Sequence, residues 1–106
     1  MSETWLDVCP AIDLEPDDVV RFDHGERTFA VYRTADNRYF ATDGLCTHGR
    51  AHLADGFVSG TTIECPKHNG RFDLTTGAAK ATPATVALGC YAARVADGVV
   101  QIAVPA

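Results

Sequence analysis

Two short segments concentrate the side chains able to bind a transition metal, Cys46-Thr47-His48 and Cys65-Pro66-Lys67-His68. Each offers one thiolate and one imidazole, and 16 residues separate His48 from Cys65. Three of the four histidines and two of the four cysteines fall inside this span of 23 residues, so chance is the weakest reading. Thiolate and imidazole together suit zinc, iron or copper; calcium and magnesium prefer oxygen. The short spacing within each half lets one loop present both of its ligands. A structural zinc site competes, because two Cys and two His make a familiar tetrahedral set. Common zinc fingers, however, pair Cys with Cys and His with His along the chain, whereas each half here pairs one Cys with one His. A Cys–His nucleophile would leave the second pair unexplained.

The elements that must position these loops read as strands. Trp5 to Cys9 is a short opening strand stopped by Pro10, and the acidic stretch to Asp18 is turn-like. Val19 to Phe22, Thr28 to Arg33 and Arg38 to Thr42 follow as strands, joined by turns at Asp23-His24-Gly25-Glu26 and Ala35-Asp36-Asn37. Three strands this close predict an antiparallel meander. Asp43 to Pro83 is rich in Gly, Thr, Cys and His without a helical period. Short strands are expected there at Thr61 to Glu64 and Arg71 to Leu74, with a turn at Thr75-Thr76-Gly77. A strand over Tyr91 to Val95 and another over Val99 to Val104 flank the Asp97-Gly98 hairpin signal. The pattern is a β-rich base interrupted by a loop-rich insertion.

Composition bounds the partners. At 106 residues the chain has room for one core, and 46% hydrophobic with 22% charged residues is ordinary for a soluble globular protein. No apolar run approaches the roughly 20 residues that cross a bilayer. Met1 to Trp5 lacks the features of a secretory signal, so a cytoplasmic location is expected. In a reducing compartment the cysteines favour metal binding or buried thiols over bridges. The net charge of −5 is uneven: through Glu26 there are eight acids against Arg21 alone. Such a surface keeps the chain in solution or steers a basic redox partner, and it lacks the basic stripe that nucleic acid requires.

The wider neighbourhood of the Cys–His pairs resembles a known family. Cys46-Thr47-His48-Gly49, the run Cys65-Pro66-Lys67-His68-Asn69-Gly70-Arg71-Phe72-Asp73, and Thr76-Gly77 are similar to Rieske ferredoxins that serve bacterial oxygenases. So are Pro83-Ala84-Thr85, Leu88, Tyr91 and the Asp97-Gly98 turn, and the resemblance covers nearly the whole chain. It implies an all-β Rieske [2Fe–2S] fold over residues 1–106, with a smaller cluster-binding lobe at about 43–83 inserted in an antiparallel β base. It also implies one [2Fe–2S] cluster, with Cys46 and Cys65 on one iron and His48 and His68 on the other. Two ferric ions, two sulfides and two thiolates sum to zero, so this cluster accepts an electron more readily than an all-thiolate one. The implied function is one-electron carriage from a flavin-dependent ferredoxin reductase to a terminal oxygenase. The alternative is a zinc-stabilised binding module without a redox role.

Departures from high-potential relatives sharpen this expectation. Respiratory Rieske proteins, as a family, carry a disulfide whose cysteines would fall at Ala51 and Lys67. They also carry a Ser and a Tyr, donating to cluster sulfur and a ligand thiolate, where this chain has Gly70 and Phe72. Fewer donors predict a potential near the low end of the Rieske range, roughly −150 mV. The 38 residues after His68 contain no histidine, so the mononuclear iron site of the oxygenases is not expected, and the chain reads as a carrier and not an enzyme. His52 and His24 read as exposed or solvated, and Cys9 and Cys90 as packing thiols with a bridge between them as the minority alternative. Arg50, Lys67 and Arg71 read as a solvated rim that an acidic partner would meet. Pro83 reads as part of a rigid covering loop or as a strand break. Trp5, Phe22, Phe29, Phe40 and Tyr91 read as core aromatics.

Overall fold

The computed structural model describes residues 3–47, 51–67, 70–81 and 86–105. It is all-β, with antiparallel pairing throughout and two single-turn 3-10 helices at Ala11–Asp13 and Leu53–Asp55.

The first sheet joins the two ends of the described chain. Strand β1 (Glu3–Pro10) lies against the last strand, β11 (Val99–Pro105), with a bulge between Asp7 and Cys9. Strand β10 (Ala93–Ala96) covers the other side of β11 through a turn in which Asp97 and Gly98 have φ of 52° and 75°. Positive φ at both central residues is the geometry that matches the twist of hairpin strands, and Asp-Gly tolerates it.

The second sheet has the order β2-β3-β4-β9, built from Asp18–His24, Arg27–Arg33, Tyr39–Asp43 and Cys90–Tyr91. The meander expected over 19–42 is therefore present. Strand β3 is its wall. Phe29 and Val31 enter an apolar core with Leu14, Val100, Ile102 and Val104, while Ala30 and Tyr32 enter a second core with Ile63, Phe72, Leu74 and both Cys46 and Cys65. Burial on both faces explains why β3 reads as a nearly continuous apolar run. Each fully buried large apolar side chain contributes about 1.5–3 kcal/mol.

The third sheet, β5-β6-β7-β8, comprises Phe57–Ser59, Thr62–Glu64, Arg71–Asp73 and Ala79–Ala81. The strands expected near 61–64 and 71–74 form; β5 and β8 were not expected. They are three residues long, too short for a period to register. The single strand expected over 91–95 is split, because β9 pairs with β4 while β10 pairs with β11. The chain changes sheets at Ala92, whose carbonyl still accepts from Ala103 N–H at 2.9 Å. Among the aromatics, Phe29 is buried and Phe22, Phe40 and Tyr91 are half-buried. Trp5 corrects the expectation of a core residue: it is 36% exposed, and the Arg94 guanidinium lies 3.7 Å from its ring centre. Its position on β1 faces it away from the core that Leu6 and Val8 meet. Among the described residues no helix is long and apolar enough to cross a membrane.

Candidate metal centre

Two loops close on themselves in the same way. The Cys46 amide donates to the Ala51 carbonyl at 2.9 Å, and the Cys65 amide donates to the Gly70 carbonyl at 2.7 Å. In each loop the cysteine stands at the foot and bonds the residue five positions on. A bridge between Leu45 and His52 and the Leu53 amide on the Gly44 carbonyl, at 2.8 Å, continue the first closure. Strands β6 and β7 continue the second. His48 and His68 fall by sequence inside these spans and lie outside the described residues, as do Arg50 and Pro83.

Cys46 and Cys65 are 3% and 0% exposed and belong to the same apolar core. Burial pushes the Cys65 thiol up to about 11; the Lys67 backbone N–H, donating to its sulfur, opposes this, and the adjacent Cys46 thiol adds to the rise. Two neighbouring thiols in an apolar pocket cannot both ionise without a cation to compensate them. With metal bound both become thiolates, which makes the pair a fitting half of a soft-metal donor set. Among the described residues no three His, Cys, Asp or Glu side chains gather into a metal-sized group. Burial likewise raises the Cys9 and Cys90 thiols, and no disulfide links any of the four cysteines. Cys9 is half-buried, while Cys90 is exposed and so is not the packed thiol expected.

His52 departs from expectation. It is 6% exposed and not a solvated loop residue. Its Nδ1 accepts the Ala54 amide at 3.0 Å, which caps the Leu53–Asp55 helix. Nε2 must then carry the proton, and it donates to Thr28 Oγ1 at 2.8 Å. Thr28 in turn donates to Asp23 at 2.5 Å. Burial, with Arg21 assisting and Asp23 and Asp55 opposing, holds its pKa below the usual imidazole value. The sequence signal for this role is a His followed by a buried Leu and then Asp55, a short capped turn. His24 is exposed at the end of β2, stacked at 6.4 Å on Phe22. Of the expected basic rim, Lys67 is exposed and Arg71 is committed to Glu64 at 3.2 Å. Gly70 is buried beside the Cys65 loop, and Phe72 is fully buried in the core that holds both cysteines.

The model of the Rieske [2Fe-2S] domain matches residues 4–92. The chain belongs to the Rieske [2Fe–2S] family. Ferredoxin CarAc of Metapseudomonas resinovorans is 41% identical over 104 residues, covering 97% of this chain and 96% of that protein. The ferredoxin component of the naphthalene 1,2-dioxygenase/salicylate 5-hydroxylase systems of a Ralstonia species is 40% identical over 95 residues, 90% of each chain. In the solved complex of reduced oxygenase and oxidized ferredoxin in carbazole 1,9a-dioxygenase, one chain superposes with a TM-score of 0.88 at 41% identity, covering 96% of this chain and 94% of that one. This Rieske ferredoxin is thus an electron-transfer protein with one [2Fe–2S] cluster and not an enzyme, and the zinc reading is not favoured.

Proposed function

We propose that Cys46, His48, Cys65 and His68 hold the cluster, the cysteines on one iron and the histidines on the other. The observation that carries this is the pair of matched loops, each closed by its cysteine amide and each burying its thiol in one shared pocket. When bound, the cluster supplies a one-electron couple. The chain's own residues exclude water from the thiol side through Leu53, Ile63, Phe72, Leu74 and Leu88. The Lys67 backbone N–H donates to Cys65 sulfur, which stabilises negative charge there. Phe72 brings no hydroxyl to this pocket and Gly70 has no side chain, which supports a potential near roughly −150 mV.

The electron passes from a flavin-dependent ferredoxin reductase to a terminal oxygenase. The dioxygenase systems named for the relatives support this assignment, as does the oxygenase–ferredoxin complex that contains the structural match. We further assign a cytoplasmic location and a division at about residues 43–83 into a cluster-binding lobe carried on the β base. The four-stranded sheet over Phe57–Ala81 and the loops beside it support that division.

Reduced protein examined by EPR tests the ligand set, because mixed Cys/His ligation has a lower average g than all-Cys ligation. Replacing His48 or His68 by Cys lowers the potential or abolishes the cluster. A variant that keeps the parent potential and spectrum would show that the replaced histidine is not a ligand.

A further inference from the structure

The segment from Val86 to Tyr91 is clasped from three sides. Thr47, next to Cys46, donates from its hydroxyl to the Val86 carbonyl at 2.6 Å. The Leu88 amide donates to the Gly77 carbonyl at 2.8 Å, on the turn after β7. Asp43, at the end of β4, makes the densest set of contacts. Its amide donates to the Gly89 carbonyl at 2.9 Å, its Oδ2 accepts the Gly89 amide at 3.1 Å, and its Oδ1 accepts the Tyr91 hydroxyl at 2.6 Å. Arg27 closes the group: it donates to the Tyr91 oxygen at 2.6 Å, lies 3.8 Å from Asp43 Oδ1, and stacks over the Phe29 and Tyr91 rings at 4.9 and 5.4 Å. Leu88, held in the middle of this strap, is 4% exposed and packs in the core that contains Cys46 and Cys65. The strap is therefore a wall of the thiol pocket, and its fastening is polar and half-exposed.

We propose that Asp43, Tyr91 and Arg27 form a latch that holds the 86–91 strap shut over the cysteine pocket and so sets how far water reaches the cluster. Asp43 acts as a positioning residue, through Gly89 and Leu88, and does not touch the thiols. Reduction adds a negative charge to a site lined by apolar side chains, so a closed strap disfavours the reduced form and an open one favours it. The latch also guards the metal against loss, since a ligand pair that water and chelator cannot reach exchanges slowly.

Gly89 supplies a perturbation that changes no charge. A Cβ built there would lie 2.6 Å from Asp43 Oδ2 and 3.2 Å from the Tyr91 oxygen, so Gly89→Ala wedges the latch open. Tyr91→Phe removes two of its hydrogen bonds, the one to Asp43 and the one from Arg27, without adding an atom. Losing hydrogen bonds to charged partners raises the population of the open strap roughly tenfold to a hundredfold.

The inference rests on the cluster assignment, so three readouts on purified holoprotein are combined: reduction potential, rate of iron transfer to excess chelator, and hydrogen exchange at the Leu88 and Gly89 amides. Both variants are expected to exchange and release iron faster by that factor and to shift the potential upward. Faster exchange with an unchanged potential and unchanged iron release would overturn the proposal, because the latch would then be merely structural. Unchanged exchange would overturn it as well. Should Gly89→Ala fail to accumulate, Tyr91→Phe decides. A colourless zinc-containing parent would refute the cluster assignment alone, and zinc release with amide exchange would still decide the latch.

Discussion

Replacing His52 by Ala separates a buried structural imidazole from an incidental one. The side chain makes two hydrogen bonds, accepting the Ala54 amide and donating to Thr28. Loss of a helix cap costs about 1 kcal/mol, and loss of a neutral hydrogen bond about 1 kcal/mol more. The vacated ring adds a smaller penalty, since its Nε2 would lie only 2.5 Å from a Cβ placed on Gly44, showing how closely the two pack. The sum is about 2–3 kcal/mol, which lowers the unfolding midpoint by about 10 °C in a domain of this size. His52→Asn keeps an acceptor where Nδ1 stands and so preserves the cap; its loss is about 1 kcal/mol. Combining His52→Asn with Thr28→Val costs less than the two changes added, because both remove the same bond. Far-UV circular dichroism at one fixed heating rate reads all of these, the fixed rate being needed because metal loss makes unfolding irreversible. Acid adds a signed test. The folded-state pKa of His52 is depressed, chiefly by burial, so the unfolded chain takes up the proton first. Its contribution is complete above the ordinary imidazole value of about 6.5 and is lost as pH falls through the folded-state value. The gap between parent and His52→Asn therefore narrows on acidification. A His52→Asn protein as unstable as His52→Ala, or a gap that widens in acid, would refute this account.

Three further outcomes follow from the packing. Gly77→Ala forces a side chain into a backbone with φ of 78° and places a Cβ 2.2 Å from the Leu88 carbonyl; the cost is at least about 2 kcal/mol, read as a lower denaturant midpoint. Leu74→Ala, in the core beside the cysteines at 1% exposure, costs about 2–5 kcal/mol, read by the same midpoint, and speeds bleaching of the visible spectrum. Phe72→Tyr introduces a hydroxyl into the cysteine pocket and raises the reduction potential in a dye-mediated titration. An unchanged potential there would mean that missing donors do not account for a low value.

Much of this molecule is legible from residue order because the informative signals are local. Strand β3 announces itself by a run of apolar residues, and the Asp97-Gly98 turn by two residues that tolerate positive φ. The Cys–His segments are legible for the same reason: ligands two or three residues apart belong to one loop whatever the rest of the chain does. Trp5 and His52 depart from expectation, and the polar partners of Tyr91 are not legible in residue order, because their surroundings come from distant strands. Trp5 meets Arg94, His52 meets Thr28, and Tyr91 meets Asp43 and Arg27, contacts spanning 24 to 89 residues.

Sequence alone determined the family, the donor types and the absence of hydroxyls at positions 70 and 72. These are properties of side-chain chemistry and spacing, which folding does not alter. Tertiary structure decided that Cys46 and Cys65 share one dry pocket, that His52 is a neutral cap, and that Asp43 fastens the strap beside the cysteines. Burial, and with it the shift of a thiol or an imidazole away from its ordinary pKa, is a sum over neighbours brought together from separate strands.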